Sequence, residues 1–362
     1  PQRTMRPQSV VLFATPKMLA DFANPDSGIA YFLNHYEPLI ARASETIVIF
    51  SVGNSDNILN YRGTDFWQDT VEWARLTDGI VVSNRVLDYR LIDGIVRAFT
   101  SRATAAGIKL KVYDQIDSGN EFTITNNFKF VRHSECMNNK WLSYDVGVPM
   151  RADNSVYASA PNGIAGGKLC GEFLVDQASQ YLRDLGFDGI LYDNQLGTRG
   201  RWLPGNGPGY SAKESAAILA FLEYSQRVFG DKEVMWFDSY NNVQVERETF
   251  SFPADGYQYF DYLIASGFCV ITNPQRYLDN LRSKLQLRDR TRVLATLDYV
   301  DPWYTYNSMT AYPAESAGLE RIAIAYRYDI DRIVFFANDD KGALVPRKLI
   351  ESFATRFLGP VE

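Results

Sequence analysis

The sequence predicts an α/β fold, a (β/α)8 barrel with long loops after strands 2, 3 and 4. Three observations predict it. Short apolar runs alternate with amphipathic helical stretches over most of the chain, as parallel strands joined by helical crossovers require. Eight such runs follow residue 45 of the 362-residue chain, which suits a closed barrel better than an open doubly wound sheet. The runs also end repeatedly in Asp, at the edge where the loops of such a barrel surround its mouth.

Taken in order, residues 1–45 read as a lead-in strand (10–13) and helix (29–43) packed on the barrel, and residues 46–362 as the barrel itself. The expected strands are 46–52, 110–114, 141–146, 189–193, 234–238, 262–266, 293–298 and 332–337. Between them the helical period supports helices over 66–75, 87–106, 172–185, 212–229, 274–287 and 314–328. The fourth strand is the best defined. Gly186 follows a helical run and fits a left-handed cap, and Ile190, Leu191 and Tyr192 form a brief apolar run of the kind buried on both faces. Asp193 then stands where that strand leaves the sheet.

The loops over 115–140, 147–171 and 194–211 are long and rich in Gly, Asn and Ser, and the last two carry Arg151, Arg199, Arg201, Trp202 and Tyr210. Three consecutive long loops on one side of a barrel point to substrate walls or a lid. No internal repeat or inter-domain linker stands out.

Composition excludes several functions. With a net charge of −6 and no basic run, the chain offers no nucleic-acid surface. Cys136, Cys170 and Cys269 are odd in number and scattered, so they form neither a disulfide framework nor a metal-type spacing. With His35 and His133 as its only histidines, the chain leaves little room for a histidine metal site. No Gly-x-Ser-x-Gly elbow, phosphate loop or dinucleotide fingerprint is present, so no cofactor and no metal is expected. No apolar run is long enough to span a membrane. The chain begins at Pro1, which is compatible with a removed signal peptide, and a secreted or periplasmic location is expected over a cytoplasmic one. A monomer or small homo-oligomer is expected. Aromatics at 14% fit either core packing or a cleft in which ring faces stack on pyranose C–H faces.

The strand-end acids carry the chemistry. Val-Tyr-Asp114, Ser-Tyr-Asp145, Leu-Tyr-Asp193, Trp-Phe-Asp238 and Thr-Leu-Asp298 repeat one pattern, with Asp117, Asp301 and Asp339 close by. One Asp after a strand is ordinarily a helix cap or turn former. Several at one mouth repel each other and push their pKa values apart, giving one ionised and one protonated carboxyl. That pair is what glycosidic cleavage needs. The same acids could instead hold Mg2+, Mn2+ or Ca2+, or hydrogen-bond sugar hydroxyls without chemistry.

Tyr192-Asp193-Asn194 resembles the nucleophile strand of the α-galactosidase type of retaining glycosidase, in which the strand-four Asp attacks the anomeric carbon. Gly186-Phe187-Asp188-Gly189 with its downstream acid resembles the endo-α-polygalactosaminidase group. It is also similar to the chitinase and endo-β-N-acetylglucosaminidase TIM barrels, whose strand four reads Asp-Gly-x-Asp-x-Asp-x-Glu, and Trp236-Phe237-Asp238-Ser239 is similar to a strand of some endoglucosaminidases. Against the chitinase signature, Leu191 replaces the middle Asp and Gln195 stands where the catalytic Glu belongs, whether natively or through a Glu→Gln change. Against the α-galactosidase type, the run 262–266 ends without the expected acid.

The resulting expectation is a carbohydrate-degrading hydrolase that cleaves an oligo- or polysaccharide through a two-carboxylate, retaining mechanism. Asp193 is the expected nucleophile and Asp238 the general acid/base. Asp114, Asp145, Gln195, Arg199, Trp202, Tyr240, Asp298 and Trp303 are the expected substrate-binding residues. The alternatives are a non-catalytic carbohydrate-binding barrel, or a substrate-assisted endo-N-acetylhexosaminidase with Gln195 in place of its Glu.

Overall fold

The structure is a computed structural model and describes residues 6–14, 24–54, 89–117, 164–165, 168–193, 212–237, 254–265, 274–300, 315–338 and 344–358. Its strands are β1 (Ser9–Ala14), β2 (Glu45–Asn54), β3 (Leu110–Asp117), β4 (Ile164–Ala165), β5 (Lys168–Leu169), β6 (Gly189–Asp193), β7 (Glu233–Phe237), β8 (Tyr262–Ala265), β9 (Val293–Val300) and β10 (Arg332–Asn338). Its helices are α1 (Pro25–His35), α2 (Glu37–Ile40), α3 (Tyr89–Ala105), α4 (Cys170–Asp184), α5 (Ala212–Phe229), α6 (Pro274–Leu287), α7 (Glu315–Tyr326) and α8 (Arg347–Phe357). Eight strands close into a barrel in the order β1-β10-β9-β8-β7-β6-β3-β2, and β4 and β5 form a separate two-stranded antiparallel ribbon. The (β/α)8 architecture expected from the sequence is therefore present.

One expectation about the strands changes. The lead-in strand is a member of the ring: β1 pairs in parallel with β2, Ser9 to Glu45, and with β10, Ser9 to Arg332. Val10, Val11 and Leu12 are fully buried, so this short apolar run is stable only with a neighbour on each side and cover on both faces. The expected strand 141–146 and the expected helix 66–75 lie outside the described residues.

By chain contacts the molecule divides into two units. The first comprises Pro1–Val52, Gly94–Tyr113 and Tyr262–Glu362. In it, alternation along the strands sends Phe50 onto Phe99 of α3 (5.5 Å) and Phe335 onto Phe353 of α8 (5.0 Å), both edge to face. Phe336, of the opposite parity, meets Phe13 at 5.0 Å. The expected helix over 29–43 is two helices hinged at Tyr36, because Pro38 has no N–H to continue the ladder. Arg347 Nη1 donates instead to the freed carbonyls of Asn34 and His35, both at 2.8 Å. Strand starts in this unit carry a charged cluster. Glu45, 5% exposed, accepts from Ser9 Oγ at 3.0 Å and meets Lys111 at 3.4 Å, Lys109 at 3.6 Å and Arg332 at 3.6 Å. Arg332 also donates to Ser9 Oγ and lies over the Tyr262 ring at 5.2 Å.

The second unit comprises Gly53–Asp93 and Asp114–Asp261. Here α4 ends as its sequence requires. Gly186 takes φ +74, its N–H donates to Arg183 O at 3.3 Å, and Phe187 N–H donates to Leu182 O at 2.8 Å. That left-handed turn aims the chain straight into β6, whose start is tied to β7 by the bond from Glu233 N–H to Asp188 O at 3.1 Å.

Candidate active site at the ends of the strands

In the second unit, β6 and β7 run parallel with Gly189 opposite Glu233, Tyr192 opposite Trp236 and Asp193 opposite Phe237. Tyr192 and Trp236 face the helices. Tyr192 meets Phe221 of α5 at 6.3 Å and Phe260 at 6.5 Å, while Trp236 stacks on Phe260 at 4.9 Å and leans on Tyr257 at 5.5 Å. Asp193 is the last residue of β6 and has the other register parity, shared with position 191. Asp238 follows the ladder partner of Asp193 and lies outside the described residues.

Asp114 is fully buried in β3, the ring neighbour of β6, and its Oδ1 accepts from the Gln115 backbone N–H at 2.9 Å. Thr46 N–H donates to Lys109 O and Lys111 reaches Glu45, so alternation along β3 gives Asp114 the parity of Val112 rather than that of Lys111. In the first unit, Asp298 lies in β9 opposite Phe336, with neighbouring Leu297 opposite Phe335. Asp298 therefore has the parity of Thr296, opposite to that of the helix-facing pair.

Asp145, Gln195, Arg199, Trp202, Tyr240 and Trp303 lie outside the described residues, as do Arg151, Arg201 and Tyr210. Among the described residues no group of three or more His, Cys, Asp or Glu is arranged to hold a metal ion. No helix of the structure, among the described residues, is long and apolar enough to cross a membrane.

Sequence reading missed the ring of aromatics behind β6 and β7. In the sequence Tyr192 and Trp236 stand out as members of strand runs and resemblance motifs, not as partners of Phe260 and Tyr257. The available signal was the Tyr-rich stretch before β8, Tyr257-Gln258-Tyr259-Phe260, which forms a 3-10 turn over Ala254–Tyr259. Burial pushes the Tyr192 phenol well above its ordinary range, against a smaller opposing effect of its hydrogen bond with Ser225, so it stays neutral. The structure also has a cleft of about 750 Å3 in the first unit, lined by Leu33, Ile40, Arg102, Gly107 and Lys109, beside the strand starts rather than their ends.

No protein-family model matches the chain, and no curated protein matches it either. Solved structures do. A chitinase from Bacillus thuringiensis is 8% identical with a TM-score of 0.51, covering 99% of this chain and 71% of its own. An endo-β-N-acetylglucosaminidase from Cordyceps militaris is 12% identical with a TM-score of 0.43, covering 96% and 91%. An α-galactosidase from Thermus thermophilus is 12% identical with a TM-score of 0.43, covering 98% and 66%. At these identities the likeness concerns the fold, and it agrees with the closed ring of eight strands as the architecture of this chain.

Proposed function

We propose that this chain is a glycoside hydrolase acting on an oligo- or polysaccharide through two carboxylates with retention of configuration. The observation that carries the reading is Asp193 at the end of a short buried strand, laddered to the strand that Asp238 follows. In the proposed reaction a carboxylate oxygen of Asp193 attacks the anomeric carbon while the protonated Asp238 carboxyl gives its proton to the departing glycosidic oxygen. Asp238, now ionised, takes a proton from water, and that water cleaves the glycosyl ester and restores Asp193. Asp114, Asp145, Asp298 and Gln195 are proposed to bind hydroxyls, Trp202, Tyr240 and Trp303 to stack on sugar rings, and Arg199 to meet an anionic group or orient a carboxylate. For retention the two carboxyls should stand about 5–5.5 Å apart, and for inversion about 6.5–9.5 Å.

Gln195 favours a second reading. It shares the sequence parity of Asp193 and occupies the position of the chitinase-type acid, so a barrel that binds acetamidosugars without cleaving them fits the same strand. A panel of glycans scored for both binding and product release separates the two. Under the first reading, Asp193→Asn lowers turnover by roughly 10^3-fold or more with the melting temperature unchanged. Full activity in that variant refutes it. Binding without turnover in the wild type, with hydrolysis appearing in Gln195→Glu, establishes the second.

A further inference from the structure

At the starts of β9 and β10 the first unit gathers more positive charge than the acids beside it neutralise. In a chain of net charge −6, the turn after α6 and the turn after α7 carry Arg282, Arg288, Arg290, Arg292 and Arg327, with Asp289 and Asp329 among them. Asp331 and Arg332 follow and cancel, and Lys284 is fully buried. Two side-chain bonds hold the two turns side by side. Arg282 Nε donates to the Tyr328 hydroxyl at 2.9 Å, and Arg290 Nη1 donates to Asp329 Oδ2 at 3.1 Å.

Helix dipoles account for part of this charge. Arg288 and Arg327 stand one residue past the C-terminal ends of α6 and α7, where cations are favoured. Arg290 and Arg292 lie beyond that reach, in the three-residue 3-10 turn that leads into β9. Asp289 is turned to its own backbone, its Oδ1 accepting from Thr291 N–H at 3.0 Å and from the Thr291 hydroxyl. The Arg290–Asp329 pair is 60% and 57% exposed, so water competes with it and another anion can replace it. Arg282, Arg290 and Arg327 are all exposed, and among the described residues no carboxylate is paired with Arg282 or Arg327. The Tyr328 bond takes only Nε of Arg282, whose guanidinium lies 6.0 Å from the Tyr328 ring centre. Its two outer nitrogens are left as a fork for a planar anion.

We infer that this arginine surface, formed by Arg282, Arg290 and Arg327, binds the carboxylates of an acidic polysaccharide. A lipid surface fits it poorly, because membrane-surface binding needs apolar anchors and the exposed large hydrophobic among the described residues is Tyr31, in α1. A nucleic acid fits it poorly as well, since the net charge of −6 opposes a partner whose charge is dense and continuous. A polymer with spaced carboxylates suits separate guanidinium groups. The surface itself is independent of Asp193. The choice of a glycan as the polyanion rests on the proposed function and deepens it, by giving the polymer its charge.

The experiment measures binding of the full chain to polygalacturonate, dextran sulfate, neutral dextran, duplex DNA and anionic vesicles, at low and at high salt. The wild type should bind polygalacturonate most tightly, more weakly as salt rises, and leave neutral dextran unbound. A triple variant, Arg282→Gln with Arg290→Gln and Arg327→Gln, should bind polygalacturonate about tenfold more weakly. Arg327→Gln alone, which breaks no ion pair among the described residues, should keep the wild-type melting temperature and still weaken binding about threefold. Wild-type affinity in the triple variant would overturn the inference, as would neutral dextran held as tightly as polygalacturonate. Tighter binding to DNA, vesicles or dextran sulfate than to polygalacturonate would overturn the assignment to a carboxylate polymer. If the triple variant loses polygalacturonate while Asp193→Asn keeps full turnover on the panel glycan, the arginine surface stands and the hydrolase reading fails. If Asp193→Asn is dead and the triple variant binds as the wild type, the surface alone fails.

Discussion

Replacing Glu45 by Gln should destabilise the protein by about 3 kcal/mol at neutral pH, and the effect should fade in acid. Glu45 is the first residue of β2 and its carboxylate ties four strands of the ring: β2 itself, β1 through Ser9, β3 through Lys111, and β10 through Arg332. Removing one member of a buried ion pair costs about 3–5 kcal/mol because the other charge is left unmatched in a poor solvent. Three cations surround this single carboxylate, so the mismatch left behind is severe. Two features pull the value to the lower end. Lys109 is 69% exposed and contributes little, as surface pairs do, and Lys111 at 27% can turn toward water. Arg332, 15% exposed and stacked on Tyr262, cannot easily do so. An unfolding entropy of about 2.1 cal/mol/K per residue over 362 residues is roughly 760 cal/mol/K, so about 3 kcal/mol lowers Tm by about 4 °C.

The pH dependence gives the sharper test. Burial alone would raise the Glu45 carboxyl, but Lys111, the Ser9 hydroxyl and Lys109 outweigh burial and hold it below its ordinary value of 4.5. A carboxyl depressed in the folded state binds fewer protons there than in the unfolded chain. Its stabilisation is therefore complete above pH 4.5 and is lost as pH falls through the depressed folded value. Melting curves of wild type and Glu45→Gln should lie apart by a constant interval above pH 5 and converge below pH 4.5. Coincident curves at pH 7, or an interval that does not narrow as pH falls below 4.5, would refute the reasoning.

Two further substitutions test the frame. Gly186→Ala forces a side chain into φ +74 with no atom within 4 Å of the added Cβ, so its cost is backbone strain alone, about 1–2 kcal/mol by thermal or denaturant unfolding. Phe335→Ala empties a fully buried site against Phe353 and should cost about 3–5 kcal/mol in urea unfolding, with the slope of the transition unchanged.

Much of the frame is written locally and can be read without the structure. Strand β6 and helices α5 and α6 have the bounds their sequence periods indicate, and Gly186 caps α4 with the positive φ its position requires. These features depend on neighbours within one turn or one strand. Membership of β1 in the ring does not. Its six residues announce a buried strand, but the partner that closes the ring is β10, and Arg332 lies 323 positions from Ser9. No local period records that pairing. Helix α8 went unread for a related reason: Leu349, Ile350, Phe353, Ala354 and Phe357 make an apolar face, yet it covers a strand chosen by the same closure. The Glu45 cluster was equally silent, since an acid at the start of β2 reads as a solvated end until Ser9, Lys111 and Arg332 are brought around it. Of the acids expected at strand ends, Asp193 does end β6, whereas β9 runs on to Val300 past Asp298 and β3 runs on to Asp117 past the buried Asp114. The loop residues belong to stretches with neither period, where sequence pattern has no purchase.

Glu45 also shows how this barrel treats an acid that serves stability. It sits at a strand start, where the ring gives it Ser9, Lys111 and Arg332 as neighbours, and its charge is consumed by them. On one side of β6, strand β7 carries no such cation. It reads Glu233-Val234-Met235-Trp236-Phe237, without Lys or Arg, and the residue opposite Asp193 is Phe237. Asp298 likewise faces Phe336 across its ladder. A carboxylate laddered to an aromatic residue draws no neutralising charge from that residue, so its ionised form needs another partner. A second carboxyl sharing a proton, or the hydroxyls of a sugar, would supply it. Glu45, matched by Ser9, Lys111 and Arg332, marks the strand starts as a place of stability, and the strand ends are the place to test for chemistry.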